Sequence, residues 1–381
     1  MFSVGLWFGV HGGDTGFPRS SAPVPESALS DEVARVGNDG KDAGKREREG
    51  PEDGPENRSE GRLKDAEGKD AEGNGTQGGG SPWKNATVKV RLAETGEIET
   101  VSLEKYVQGV VAAEMPLEFR PAALEAQAIA ARTYALRRLW SGESPKASSG
   151  EADVTDTMED QVYLSTEKMN RLRQNDPVGW RKAADAAKAT EGEVLVYAGE
   201  PIEALFFSTS NGYTENSEDV FPNKLPYLRS VASPWDKRYS PRARETIEMP
   251  LAEFYEKLGS DAVTAGKRAS DKPSVRVLEW TEGRRIKRMA VGDLEMEGVE
   301  VRRRLGLRSA SFDWETADGK IRLTVYGSGH GVGMSQWGAE GMARQGKEAR
   351  EILAHYYRGA KIEQASKLSP RPGNGADEPS L

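Results

Sequence analysis

Residues 88–140 read VKVRLAETGEIETVSLEKYVQGVVAAEMPLEFRPAALEAQAIAARTYALRRLW, and the spacing of apolar residues within them changes from strand-like to helix-like at Ser102. Val88, Val90 and Leu92 alternate with polar residues, Glu94-Thr95-Gly96-Glu97 turns the chain, and Ile98 to Val101 returns, which predicts a β-hairpin. Ser102 is a helix N-cap, its hydroxyl placed to accept from an otherwise unpaired N–H of the first turn, and Leu103, Tyr106, Val107, Val110 and Val111 follow at helical spacing. This helix ends near Met115, because Pro116 forces the residue before it away from helical dihedrals. Pro121 has no N–H to lose at a first helical position and opens a second helix, whose Ala-rich run from Ala122 to Trp140 sets Leu124, Ala128, Ala131 and Ala135 on one face.

Working outward, the order stays mixed. A helix is predicted from Val178 to Thr190, stopped at Gly192, then a strand from Val194 to Tyr197, a turn at Ala198-Gly199-Glu200 and a strand from Ile202 to Ser208. A short helix around Leu251, Phe254 and Leu258 precedes strands near 275–280, 285–291, 293–296 and 321–326, and helices follow near 335–344 and 348–357. Hairpins interleave with helices, and no Gly-x-Gly-x-x-Gly closes a strand-to-helix turn. The pattern predicts an α+β fold rather than a doubly wound parallel sheet.

The flanks differ in kind. Met1 to Val10 is apolar but far shorter than the roughly 20 residues a helix needs to span a bilayer, and no basic residue precedes it. Residues 1–17 are therefore read either as the remnant of a membrane anchor or as a stray apolar terminus. From Pro18 to Pro82 there is no aromatic residue, Lys-Asp-Ala-Glu-Gly repeats at Lys64 and Lys69, and the segment closes on Gly78-Gly79-Gly80-Ser81-Pro82. Such a chain cannot bury enough apolar surface to offset its ordering entropy, so 18–82 is expected to be a disordered charged linker, 83–365 the folded domain and 366–381 a disordered tail. The net charge of −8 argues against a nucleic-acid partner, whose phosphates need clustered Lys and Arg. Without cysteine there is neither a disulfide frame nor a thiolate ligand, and the histidines are only His11, His330 and His355.

Three segments carry candidate chemistry. Glu114 ends the first helix, where the negative end of the macrodipole and apolar sequence neighbours both disfavour its ionised form, the direction a general acid needs at neutral pH. The plainer alternative is a solvated helix-end carboxylate. The turn from Tyr326 to Gly338 sets glycines around His330 and allows close approach of a ligand; equally, it describes a glycine-rich helix entry whose histidine satisfies backbone groups. Phe206 to Glu215 ends a strand in hydroxyls and amides, a cluster that suits sugar recognition and also suits an ordinary turn.

Taken together and in order, four blocks resemble the stage II sporulation protein D family, also described as amidase-enhancer-like: Leu103 to Tyr134; Asp160-Gln161-Val162-Tyr163; Phe207 to Glu215 with Pro226 to Val231; and Gly329 to Ala339 through His355-Tyr356-Tyr357. The resemblance implies a lytic transglycosylase that cleaves peptidoglycan glycan strands already stripped of stem peptides, leaving 1,6-anhydro-muramic acid ends, with Glu114 as catalytic acid and base. Carried over by position, Gln127, Arg132, Tyr227 and Arg229 would line the glycan cleft, together with Ser210, Asn211, His330 and Gln336. Two of these have alternatives: for Arg132, pairing with Glu114 and orienting it; for Tyr227, a place in the core. Some relatives bind zinc through cysteine and histidine near the Gln-Val-Tyr block; Thr155 to Asp160 supplies no such ligands, so neither metal nor cofactor is expected. The implied setting is extracytoplasmic, at the mother-cell membrane during engulfment. The implied partners are the glycan strands, the amidase stage II sporulation protein P and the membrane protein stage II sporulation protein M. The rival reading is a non-catalytic glycan-binding module that recruits or activates a cell-wall amidase.

Overall fold

The structure, a computed structural model, describes residues 83, 85–142, 151–259 and 275–369. The expected anchor remnant, the linker and the tail beyond residue 369 lie outside the described residues. Strands β1 (Thr87–Arg91) and β2 (Ile98–Ser102) form the antiparallel hairpin, with Val90 opposite Glu99. Helix α1 (Leu103–Glu114) starts at Ser102, whose hydroxyl accepts from Lys105 N, and stops at Met115, which is extended as Pro116 requires.

Helix α2 (Pro121–Ser141) is the axis of the larger core. Every residue from Ala126 to Leu136 is buried, not only the expected stripe through Leu124, Ala128, Ala131 and Ala135. The alanines make this possible, because small side chains let neighbours close in on all sides. Strand β3 (Val154–Thr155) adds in parallel to β1, and two helices follow, α3 (Thr166–Asn175) and α4 (Pro177–Ala189). Strand β4 (Glu193–Tyr197) turns into β5 (Glu200–Pro201), but the strand expected over Ile202 to Ser208 shrinks to β6 (Phe206–Phe207). Pro201 removes a ladder donor, and Leu205 N turns back onto Glu203 O (2.9 Å), so the chain bends instead of extending. Helix α5 (Asp236–Tyr239) closes this half.

Residues 244–326 build a second core. β7 (Arg244–Pro250) pairs with a later strand, α6 (Leu251–Leu258) follows it, and β8 (Val275–Trp280), β9 (Ile286–Val291) and β10 (Leu294–Glu297) form a meander. Helix α7 (Gly298–Leu305) leads to β11 (Phe312–Ala317) and β12 (Lys320–Tyr326), and the sheet order is β11-β12-β7. Phe254, Met289, Val301, Phe312, Ile321 and Leu323 are buried at its centre.

The chain then returns to the first core through β13 (Met334–Ser335), parallel to β6, helices α8 (Gln336–Arg344) and α9 (Ala349–Tyr356), and β14 (Lys361–Gln364), antiparallel to β4. Helix α2 packs against α1, α4, α8, α9 and β4, so residues early and late in sequence share one core, and the fold is α+β as expected. The folded body also runs past the expected limit at 365: Leu368 is buried, and Trp83 and Trp140 donate to Leu368 O (3.2 Å) and Ser369 O (3.1 Å). Among the described residues no helix is long and apolar enough to cross a membrane.

Candidate active site

Glu114 is half-buried where α1 ends. Its Oε1 accepts from the backbone N–H of Val162 (2.9 Å) and its Oε2 from the side-chain amide of Gln336 (3.1 Å). Both donors are neutral. Burial pushes the carboxyl above its usual value, and the hydrogen bonds from Val162 and Gln336, which favour the charged form, only partly oppose this.

Gln336 is held by the element it begins. Ser335 caps α8, its hydroxyl accepting from Gly338 N (3.2 Å) and donating to buried Asp236. Asp236 also accepts from Ser210 N (2.7 Å) and Ser233 Oγ (2.6 Å). Next to Gln336, Trp337 meets Phe119 edge-on with ring centres 4.7 Å apart, and Glu340 accepts from Arg120 N (2.8 Å). The segment after Glu114 and the start of α8 are thereby clamped together, which fixes the Glu114–Gln336 distance.

Of the residues expected at the cleft, Gln336 alone hydrogen-bonds Glu114 among the described residues. Arg132 is fully buried on α2 and neither faces a cleft nor pairs with Glu114. It forks onto Glu104 (2.8 and 2.6 Å) and donates to Ala187 O, Glu193 O and Thr190 Oγ1, joining α1, α2, α4 and β4. Gln127 is also fully buried, and no protein group meets its side-chain amide. Ser210 is sealed in its turn, its hydroxyl donating to Ser233 O (3.1 Å) and accepting from Gly212 N (3.1 Å). The Asn211 amide is committed to Gly283 O, Arg284 O and Ser311 Oγ (3.0, 3.2 and 3.0 Å). The polar atoms of Arg132, Ser210 and Asn211 are thus taken up by protein partners, and the Gln127 amide is shut away from solvent.

Tyr227 takes the core alternative: it is buried against Tyr197, and its hydroxyl accepts from Glu203 N (3.1 Å). Arg229, partly exposed, is paired with Glu218 and pulls that carboxylate down to about 2. His330 spends both ring nitrogens on backbone, Nε2 donating to Phe206 O (3.0 Å) and Nδ1 accepting from Val332 N (3.1 Å), which selects the Nε2–H tautomer. Burial and nearby Arg302 lower its pKa to about 4, so the ring is neutral. What the sequence did not single out is the Val162 N–H, since a backbone donor carries no residue signature, and Asp236, which acts through Ser335. Among the described residues no three His, Asp or Glu side chains are grouped to hold a metal ion.

A sequence profile for the stage II sporulation protein matches residues 92–197, the segment that carries Glu114 and Val162. Stage II sporulation protein D of Bacillus amyloliquefaciens is 41% identical over 288 residues, covering 75% of this chain and 81% of that protein. The protein of the same name from Bacillus subtilis (strain 168) is 42% identical over 269 residues, 70% of this chain and 76% of the relative. An amidase enhancer from Bacillus subtilis (strain 168) is 26% identical over 304 residues, 67% of this chain and 40% of the relative. The residues matched are those of a family of sporulation proteins. The chain belongs to the stage II sporulation protein D family.

Proposed function

We propose that the chain is a peptidoglycan lytic transglycosylase and that Glu114 is its catalytic acid and base. The supporting observation is the setting of that carboxyl: half-buried, pushed up by burial, and met by two neutral donors with no cation in ion-pair distance among the described residues. Each oxygen takes one donor and keeps a lone pair for the proton it exchanges. In the proposed reaction Glu114 protonates the glycosidic oxygen as the bond to the anomeric carbon breaks. The resulting carboxylate then takes the proton of the sugar's own 6-hydroxyl as that oxygen closes the anhydro ring. Ordinary glycoside hydrolysis needs a second carboxyl group to activate water or attack carbon; an internal nucleophile removes that need. The substrate's N-acetyl oxygen is the natural stabiliser of the oxocarbenium-like charge.

In this reading the folded body works outside the cytoplasm on stripped glycan strands, with stage II sporulation proteins P and M as partners. The test is incubation of the protein with stripped strands and mass spectrometry of the products. Anhydro ends that disappear in Glu114→Gln while strand binding persists support the enzyme. The similarity to an amidase enhancer favours a second reading, a glycan-binding module that stimulates an amidase. Wild-type protein that binds strands and releases no anhydro ends would select it.

A further inference from the structure

The Val162 N–H that meets Glu114 lies at the end of the loop that follows β3, and whatever holds this loop decides where the donor points. After Val162 the chain is docked along α1, the helix that ends in Glu114. Tyr163 stacks on Tyr106 with ring centres 5.3 Å apart, its hydroxyl donates to Glu99 (2.9 Å), and Leu164 N donates to Gly109 O (3.2 Å). The fit is close: a Cβ on Gly109 would lie 2.3 Å from Tyr163 Cε2 and 2.9 Å from Leu164 O.

Before Val162 the footing is polar instead. Asp156 fixes the start of the loop on the first hairpin, its N–H donating to Arg91 O (3.1 Å) and its carboxylate accepting from Ala93 N (2.8 Å). From there to Glu159 the apolar side chain is Met158, which is 92% exposed and anchors nothing. The return of the loop is held by Asp160, whose side chain is only 2% exposed. Its Oδ2 accepts from Thr155 N (2.8 Å) and Thr155 Oγ1 (3.1 Å), closing the loop across its base. Its Oδ1 accepts from the Tyr134 hydroxyl (2.8 Å) and from Arg138 (3.3 Å), both on α2.

This carboxylate is fully committed. Arg138 also donates to the Tyr134 hydroxyl (2.9 Å), which leaves that hydroxyl its proton to give to Asp160. Burial, followed by the charge of Asp160, raises the Tyr134 pKa, so the donor stays protonated. With each oxygen taking two donors and the side chain shut from solvent, Asp160 acts on a ligand only through what it holds. What it holds is two residues long. Gln161 Oε1 accepts from the Tyr106 hydroxyl (3.0 Å), and the next N–H, that of Val162, meets Glu114 Oε1 (2.9 Å).

We propose that Asp160 is a positioning residue for Glu114: it fastens the return of the loop to Thr155 and α2 and so keeps the Val162 N–H against the Glu114 carboxyl. A reacting group is only as well placed as the shell that supports it. As a statement about turnover this rests on the reading of Glu114 as acid and base; as a statement about the hydrogen bond it does not.

The test follows the Glu114 carboxyl by carbon NMR in the full chain, its resonance identified as the one absent from Glu114→Gln. Tyr106, the ionisable neighbour that α1 contributes, is kept protonated by burial and does not titrate alongside it. In Asp160→Ala the Val162 N–H, which favours the charged form, is withdrawn, and the Glu114 pKa is expected to rise by about one unit. Loss of the Asp160 charge by itself would lower that pKa, so the sign reports the donor. The Val162 amide is expected to exchange with solvent about tenfold faster while amides of β4 keep their rates. Asp160→Asn keeps the shape and one acceptor oxygen, and is expected to move both readings the same way by less. A Glu114 pKa that stays in place or falls in folded Asp160→Ala, or in Asp160→Asn should the alanine variant not fold, would overturn the proposal and leave Asp160 an anchor of the loop alone. On stripped strands kcat is expected to fall about tenfold with KM unchanged, since a ligand does not reach Asp160. If the pKa rises but wild-type protein forms no anhydro ends, the transglycosylase reading falls and the positioning role stands. Anhydro ends formed equally by wild type and Asp160→Ala, with the pKa unmoved, mean the reverse.

Discussion

What faces each carboxylate determines its use. Glu218 and Glu300 are gripped by arginines and held down at about 2, which fits them for ion pairs and for nothing that needs a proton. Glu114 is pushed the other way by burial, which its two neutral donors, the Val162 N–H and the Gln336 amide, only partly offset. Gln336 controls part of that balance, since its amide favours the carboxylate over the acid. Gln336→Leu removes this donor and leaves burial in place, so the Glu114 pKa rises further. The acid form then persists to higher pH, and in the proposed reaction the alkaline limb of kcat/KM on stripped strands moves upward. The rate at the optimum falls several-fold because the base step needs the carboxylate that Gln336 supported, though by less than in Glu114→Gln. A pH–rate profile checks this, and a limb that stays in place would remove Gln336 from the reaction.

At the scale of elements, local signals were legible and tertiary ones were not. The hairpin, the Ser102 cap, the stop before Pro116 and the start at Pro121 each depend on residues within a few positions, and all stand where the sequence puts them. Helix α3 was missed because it buries only Met169 and so shows no apolar stripe; its caps hold it, with Ser165 accepting from Lys168 N. The strand at Ile202 failed because Pro201 outweighs the apolar run that follows it. Around Glu114, the Val162 N–H that meets its carboxyl lies 48 residues further on and left no spacing to read. Arg132 shows the same limit. In sequence it is an arginine on a helix near Glu114, but its partners Glu104, Ala187 and Glu193 come together only when α1, α4 and β4 pack on α2. Arg132→Met keeps the length of the side chain and removes that strut. Glu104 is 33% exposed and regains water, so the loss lies at the low end for breaking a buried pair, about 3 kcal/mol. Urea denaturation measures it. Strand affinity of the folded variant is expected to be unchanged, and a stable variant with weakened binding would return Arg132 to the cleft.

For the whole molecule, the question is how two hydrophobic cores behave as one body. The first gathers residues from both ends of the described chain around α2, and the second is an insertion between α5 and β13. What joins them around Asn211 and Glu215 is polar: the Asn211 amide reaches across to Gly283, Arg284 and Ser311, Thr281 donates to Glu215 (2.8 Å), and Arg285 pairs with the same carboxylate. Such a seam is specific in geometry but adds little apolar burial, so each core keeps its own store of hydrophobic stability. Asn211→Ala removes the donor to Gly283 O and the Ser311 hydroxyl, while Arg284 O keeps Ser311 Oγ (3.3 Å), and weakens the seam by about 1–3 kcal/mol. Because the loss falls between the cores, it is expected to lower the opening free energy of the second core alone. Hydrogen exchange checks this by position: amides of β8, β9 and β11 should exchange about ten- to hundredfold faster, while those of α2 and β4 keep their protection. Faster exchange shared equally by both cores would mean that they open as a single cooperative unit. The selective outcome would give the insertion freedom to shift against the Glu114 core across this polar seam.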